Sequence, residues 1–379
     1  MATACFWLSL LILAYCYLGY PLLIWILSRS QGRRQTAHSL WEPTVDILLA
    51  VHNEEKNIEA RIRNFLALDY PSEKVRLFVG ADGCEDRTVD LIRKMQQPRV
   101  VVVEQWTRRG KTHMLNVLAA KSQAELLAFT DADSCYTTNA LRHLVAPFSD
   151  SRVGLVTGQT RYLSSDGRRE ELRGLYVRYE GCLKEAEARL AGVVGADGAI
   201  YALRRELWSS LPEAYINDFY HPVHVAKEGY RATFEPRAIS EDKVMVRPRD
   251  EFGRQTRMAA QQLLIYLREA PRLLLRGRLL YLLQMTSHKP LRWLTLPLIG
   301  LLAIASVLLA PTNVLARLVL SAVFVFVLLA LAGLVLPRFT RNRLVRVASY
   351  FLAVNAAFIV GIWRFVRGES FVTWKPRGN

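Results

Sequence analysis

Leu126-Leu-Ala-Phe-Thr-Asp131-Ala-Asp133-Ser134 ends the part of the chain whose reading decides the fold. Leu126–Thr130 is a short apolar run that stops at two acids one residue apart, the pattern of a buried strand with a polar tip. Working upstream, Lys111–Ala120 reads as a helix, Val100–Glu104 as a strand and Thr88–Met95 as a helix. Before them come the strand Val75–Gly80 and the helix Asn57–Leu68, with Ile58, Ile62, Phe65 and Leu66 on one side. The strand Thr44–Val51 (TVDILLAV) opens the series. This alternation predicts an α/β fold with a parallel, doubly wound sheet. In such sheets ligands bind beyond the carboxyl ends of the strands.

Downstream the pattern loosens. Arg173–Leu190 reads as an amphipathic helix and Val193–Tyr201 as an apolar, Gly-rich strand or turn. Between residues 254 and 283, leucines such as Leu263, Leu267, Leu274 and Leu280 mix with Arg257, Arg268, Arg272, Arg276 and Arg278. Too charged to cross a bilayer, this stretch suits helices lying in the membrane interface, with Pro271 expected to divide them. A packed soluble helix pair is the alternative.

Hydrophobic residues make up 51% of the 379 residues and gather at the two ends. Residues 5–27 are free of charge and long enough for a hydrocarbon core of roughly 30 Å. A signal peptide fits poorly, because no basic residue precedes the run and no small-residue cleavage site follows it. Arg29, Arg33 and Arg34 come next, which puts the following chain in the cytoplasm. Leu291–Ala310, Leu318–Leu336 and Val347–Trp363 are three further candidate spans. Four crossings would leave Arg364, Arg367, Lys375 and Arg377 outside, whereas the positive-inside rule wants them inside, so one segment is a candidate re-entrant loop.

The net charge of +16 is explained by that bias and by contact with anionic membrane lipids. Nucleic-acid binding is not expected, since no nucleic-acid motif accompanies the charge. Five cysteines without CxxC spacing and seven scattered histidines argue against a disulfide framework and a zinc site.

In an extended chain Asp131 and Asp133 point the same way and can approach one hard cation, Mg2+ or Mn2+, with phosphate oxygens completing its shell. Polar groups also follow the earlier strands: His52-Asn53-Glu54-Glu55 after the first, and Asp82 with Gly83-Cys-Glu-Asp86-Arg-Thr88 after the second. Helix capping by Asn53, Asp86 or Thr88 is the plainer alternative. Arg108-Arg109-Gly110-Lys111 precedes a helix, a natural place for phosphate on backbone amides and positive charge.

The order VHNEE, ADGCEDRT, RRGK, FTDADS resembles the family-2 glycosyltransferases, especially the membrane branch of cellulose, chitin and hyaluronan synthases. The resemblance implies a Rossmann-like nucleotide-diphosphosugar transferase (GT-A) domain between transmembrane helices. The organisation is then a first transmembrane helix at 1–30 and a cytosolic domain at 41–252. Interfacial helices at 253–290, spans within 291–366 and a tail at 367–379 follow. It implies that His52, Asn53, Glu54 and Asp82 hold the nucleoside of a UDP-sugar, and that Lys111 and Asp131 hold its diphosphate. Asp133 with Asp131 would bind the metal. Gly195-Ala-Asp197-Gly198 resembles the turn facing the acceptor, and Ile216-Asn217-Asp218-Phe219 the segment of the catalytic base. Asn217 replaces the first acid there, leaving Asp218, with Glu241-Asp242 as second choice. Arg254-Gln-Thr-Arg257-Met258 resembles the (Q/R)xxRW motif, with Met258 on the acceptor side where tryptophan is usual.

The function so implied is an inverting transfer onto a growing polysaccharide or a lipid-linked acceptor at the inner (plasma) membrane, by a multi-pass protein. Met258 leaves single transfer to a lipid-linked acceptor open. A transporter or a scaffold with a nucleotide-binding domain is a different class. Against it stand the absence of a Walker-type loop and the full set of carboxylates.

Overall fold

The computed structural model describes residues 1–30, 41–163, 171–243 and 248–369; Arg33, Arg34, Lys375 and Arg377 lie outside them. The chain forms two compact units. One, the sheet unit, contains Ser28–Arg247 and Leu264–Leu282. The other, the helical unit, contains Met1–Leu27, Pro248–Leu263 and Leu283–Glu369.

Four expected strands form, as β1 (Val45–Val51), β2 (Val75–Asp82), β3 (Val100–Gln105) and β4 (Leu126–Thr130). They pair in parallel in the order β3-β2-β1-β4. Every β1 residue is buried, because alternate side chains serve two different cores. Ile47, Leu49 and Val51 face Ile58, Ile62 and Phe65 of the helix Ile58–Leu66. Leu48 and Ala50 face Met114, Leu115 and Leu118 of the helix Lys111–Lys121. Gly80 permits the second contact, since a Cβ there would meet Met114 Cγ at 2.3 Å.

Beyond β4 the sheet is mixed rather than parallel throughout. It continues with β5 (Ser134–Tyr136), β6 (Val153–Leu163), β7 (Tyr201–Arg204) and β8 (Arg231–Lys243), in the full order β3-β2-β1-β4-β7-β6-β8-β5. β7 runs antiparallel to both β4 and β6. The expected strand or turn at 193–201 is irregular up to Ile200, and the strand begins only at Tyr201.

The helix Pro248–Leu275 passes through Pro271 without ending. It stops where Gly277 takes a φ of +68°, and the amides of Gly277 and Arg278 turn back to the carbonyls of Leu274 and Leu273. This is the Schellman arrangement, which glycine adopts without strain. In the sheet unit, Leu264–Leu282 is anchored by an ion pair of Lys227 with the buried Glu269 (2.9 Å) and by Tyr281 Oη donating to the Val193 carbonyl (3.1 Å). Leu267, Leu274, Leu275, Leu279 and Leu280 stay exposed.

In the helical unit, Ala2–Arg29, Val314–Val335 and Arg343–Val366 are long and apolar enough to cross a membrane. The expected span at 291–310 differs: Leu279–Trp293 and Thr295–Leu309 form a pair bent by 59°, a broken span or a re-entrant loop. Gly333 lets two of these helices approach closely, since a Cβ there would meet Ser349 Oγ at 2.8 Å.

Candidate functional site

Polar side chains collect at one edge of the sheet because the parallel register brings the strand ends level. Leu49 pairs with Thr130 and Val51 with Ala81, so residues 52–54, 82 and 131 leave the sheet together. The tips of β1 and β2 are tied to one another. His52 Nδ1–H donates to the Asp82 carbonyl (2.8 Å), and Asn53 Oδ1 accepts the Glu85 amide (2.9 Å). The amides of Glu54 and Glu55 donate to Thr88 Oγ1 (2.8 Å) and Asp86 Oδ2 (3.1 Å). Asn53 takes a φ of +53° in doing so, and it joins two loops rather than capping a helix.

Asp82 is fully buried, and its two oxygens accept the amides of Arg109 and Gly110 at 2.8 Å each. Those amides are therefore occupied, where the RRGK pattern has them facing a phosphate. The bonds lock the turn so that Lys111 leads its helix and ion-pairs with Asp131. Arg109 also pairs with Glu213 (2.5 Å).

Glu54 is buried beside these groups. Burial pushes its carboxyl up to about 7, against a bond from Asn57 Nδ2 (2.7 Å), and Asp133, Asp131 and Asp86 add repulsion. Among the described residues no group of three or more His, Cys, Asp or Glu side chains is arranged to hold a metal alone. Asp131 and Asp133 offer two carboxylates, so a divalent ion there would complete its shell from phosphate oxygens or water. The donor chemistry fits, and Asp133 and Asp131 both repel the Glu54 carboxyl.

A second set of residues reaches the same edge from the antiparallel side. Phe129 of β4 pairs with Tyr201 of β7, the last pair of that ladder and two residues before Asp131. Asp218 lies in the first turn of the helix Asn217–Lys227, and its carbonyl accepts the Ala196 amide (2.8 Å). A Cβ on Gly198 would lie 2.7 Å from Asp218 Oδ2, so only glycine leaves room for that carboxylate. Gly195 opens this irregular segment. Asp197 folds it, accepting the Thr160 amide (2.7 Å), the Thr160 hydroxyl (2.9 Å) and the Ala199 amide (3.2 Å).

Behind Asp218 lies a buried network. Asn217 Nδ2 donates to Tyr201 Oη (2.6 Å), which also bonds His221 Nδ1 (3.0 Å). Phe129 stacks on Tyr201 with ring centroids 4.4 Å apart. Burial, then the neighbouring His224, holds the His221 imidazole down to about 3. Burial raises the Tyr201 phenol well above its usual range, against the bond from Asn217, and Asp218 and Asp131 both add to it. Tyr201 therefore feels both carboxylates. Glu241-Asp242 is close too, since β5 pairs Ser134 with Asp242 and Cys135 with Glu241. Arg254, Arg257 and Met258 belong to the helical unit, where Arg254 pairs with Glu251 (2.7 Å) and reaches Met258 Sδ (3.5 Å).

The sequence reading missed Tyr201, His221 and Arg61. Arg61 carried a signal: with Ile58, Ile62 and Phe65 it occupies the i, i+3, i+4, i+7 stripe that a helix buries.

The family model Glycosyl transferase family 2 matches residues 46–208. Those residues are a family-2 glycosyltransferase domain. The chain is 24% identical to the probable glycosyltransferase YdaM of Bacillus subtilis, over 52% of this chain and 50% of that protein. It is 30% identical to the beta-monoglucosyldiacylglycerol synthase of Trichormus variabilis, over 30% of this chain and 25% of that one. The chain thus spans half or less of the length of these two relatives. A mannosyltransferase of Pyrobaculum calidifontis, solved with GDP-Man and Mn2+, has the same fold at a TM-score of 0.72. It is 20% identical, with 98% of this chain and 100% of that one covered.

Proposed function

We propose that the protein transfers a sugar, with inversion, from a nucleotide-sugar donor to a hydroxyl of a saccharide or lipid acceptor at a membrane. One observation carries this reading. Tyr201 pairs with Phe129, two residues before Asp131, and its hydroxyl accepts a bond from Asn217, the neighbour of Asp218, while Gly198 leaves room for the Asp218 carboxylate. A diphosphate site and a base then flank one anomeric carbon.

Asp218 takes the proton of the acceptor hydroxyl as its oxygen bonds to the anomeric carbon. The bond from that carbon to the diphosphate breaks at the same time, and the nucleoside diphosphate leaves with the electron pair. Lys111 turns from Asp131 to the departing phosphates. Asp131 and Asp133 would hold a Mg2+ or Mn2+ ion, which would supply Lewis-acid stabilisation of the diphosphate. His52, Asn53, Glu54 and Asp82 shape the nucleoside end, and Gly195, Asp197 and Gly198 the acceptor side. Three apolar helices and the positive-inside pattern support a multi-pass protein of the inner membrane with its family-2 domain in the cytoplasm.

Met258, in place of the tryptophan of processive synthases, favours one transfer onto a lipid-linked acceptor over polymer growth. A ladder of products from purified enzyme would reverse that preference. Uridine is the nucleoside implied by the family resemblance, and guanosine competes through the mannosyltransferase solved with GDP-Man.

Release of nucleoside diphosphate from a panel of UDP- and GDP-sugars, with and without Mn2+, tests the reading. Acceptor-dependent release is expected from one donor, with Asp218→Asn slowing turnover about a hundred- to ten-thousandfold while donor binding persists. Near-normal turnover in that variant would remove Asp218 as the base. No release or transfer from any donor would remove the function.

A further inference from the structure

Arg61 is 1% exposed and heads the fully buried side chains by volume. A buried guanidinium without a close counter-charge is strongly disfavoured, yet no carboxylate ion-pairs with Arg61 among the described residues. Its Nη1 donates to Asn64 Oδ1 (2.9 Å) and its Nη2 to Thr130 Oγ1 (3.1 Å), and its guanidinium lies 5.1 Å from the centre of the Tyr136 ring. Asp131 and Asp242 act on it from farther away.

These contacts enclose the segment that carries Asp131 and Asp133. Asn64 Nδ2 donates to the Tyr136 carbonyl (2.8 Å), and Asn64 Oδ1 accepts the Tyr136 amide (2.9 Å). Tyr136 Oη returns to the Phe129 carbonyl (2.9 Å). The chain just before the two carboxylates and the chain just after them are thus gripped from one helix. Thr130 immediately precedes Asp131, so a shift of the guanidinium would be transmitted to the first carboxylate within one residue.

We propose that Arg61 is a positioning residue for the two carboxylates, holding the turn from Asp131 to Ser134 in the geometry that receives a divalent cation and a diphosphate. This rests on the diphosphate reading of Asp131 and Asp133 given above. Arg61 touches neither substrate nor metal; it acts through Thr130 and Asn64, and its positive charge lies behind the acidic turn.

The test uses full-length protein in detergent and reads Mn2+ affinity in the presence of UDP or GDP, by titration calorimetry, together with thermal melting. Arg61→Lys and Arg61→Met probe the guanidinium. Thr130→Val removes its acceptor at nearly constant volume, and the exposed Arg63→Ala is the control. Expected are a loss of about tenfold or more in Mn2+ affinity for Arg61→Lys and a larger one for Arg61→Met. Thr130→Val should melt lower, by the cost of one unmet buried donor, yet stay folded at the assay temperature, where it loses affinity, and excess Mn2+ should restore much of its kcat. Arg63→Ala should match wild type. If Arg61→Met fails to fold, Arg61→Lys and Thr130→Val decide the matter. Wild-type Mn2+ affinity in those two variants would overturn the proposal and leave the function standing. A wild-type protein that binds neither Mn2+ nor the nucleotides would instead overturn the functional reading, and this proposal with it.

Discussion

The two halves of the site are built in different ways. At the ends of β1, β2 and β4 the polar groups sit on neighbouring parallel strands and are locked by short-range bonds, such as Asp82 on the amides of Arg109 and Gly110. Around Asp218 the parts come from distant places in the chain: the segment 195–200, β7 and the helix Asn217–Lys227. The first half is a rigid cradle assembled from consecutive strand–helix units. The second exists only because β7 inserts antiparallel beside β4. Substitutions at Asp218 and Gly198 should therefore alter chemistry, and those in the first half should alter stability and donor binding together.

Asp218→Asn, described above, is the largest expected break between the halves, in turnover with little change in donor affinity. Gly198→Ala comes next. Its Cβ would meet Asp218 Oδ2 at 2.7 Å, so the carboxylate must move. Misplacement on that scale predicts a loss of kcat on the order of a hundredfold, with donor affinity kept. An unchanged kcat would mean that Asp218 is not poised over Gly198 during transfer.

A smaller effect is expected at His221, and it appears as pH dependence of stability. Its folded imidazole is held down to about 3, against an ordinary 6.5, by burial and then by His224. Between those values the unfolded chain takes up a proton that the folded chain refuses. Stability is thus complete above about pH 6.5 and declines as pH falls through that window, by up to on the order of 4 kcal/mol at its acidic end. Melting of wild type and His221→Gln between pH 7 and pH 4.5 checks this. The variant should lose part of the acid sensitivity, and identical pH profiles would refute the assignment.

Asp82→Ala sharpens the comparison from the other side. It leaves the Arg109 and Gly110 amides without their acceptor, a cost of about 1–3 kcal/mol for such buried donors. Lower melting with weaker donor binding is expected, because Lys111 follows directly in the chain. Undiminished stability would show that the turn holds without Asp82.

Most of the first half was legible from residue pattern. β1, β2, β3 and β4 fall where short apolar runs predicted them, and Asp131 follows β4 as expected. What was not legible depended on partners far away in the chain. The bonds from the Arg109 and Gly110 amides to Asp82 join the end of β2 to a loop more than twenty-five residues on. Pro271 looks like a helix breaker, yet the helix ends at Gly277, where the turn needs a left-handed residue.

The order of residues alone determined the alternating strand–helix scaffold, the acidic and basic strand tips and the apolar helices. Each of these follows from side-chain periodicity or length over a short window. Only the tertiary structure decided the mixed sheet, the burial of Arg61 and the network of Asn217, Tyr201 and His221. The reason is that strand pairing and burial are settled by contacts between segments far apart in the chain, and no local window contains both partners.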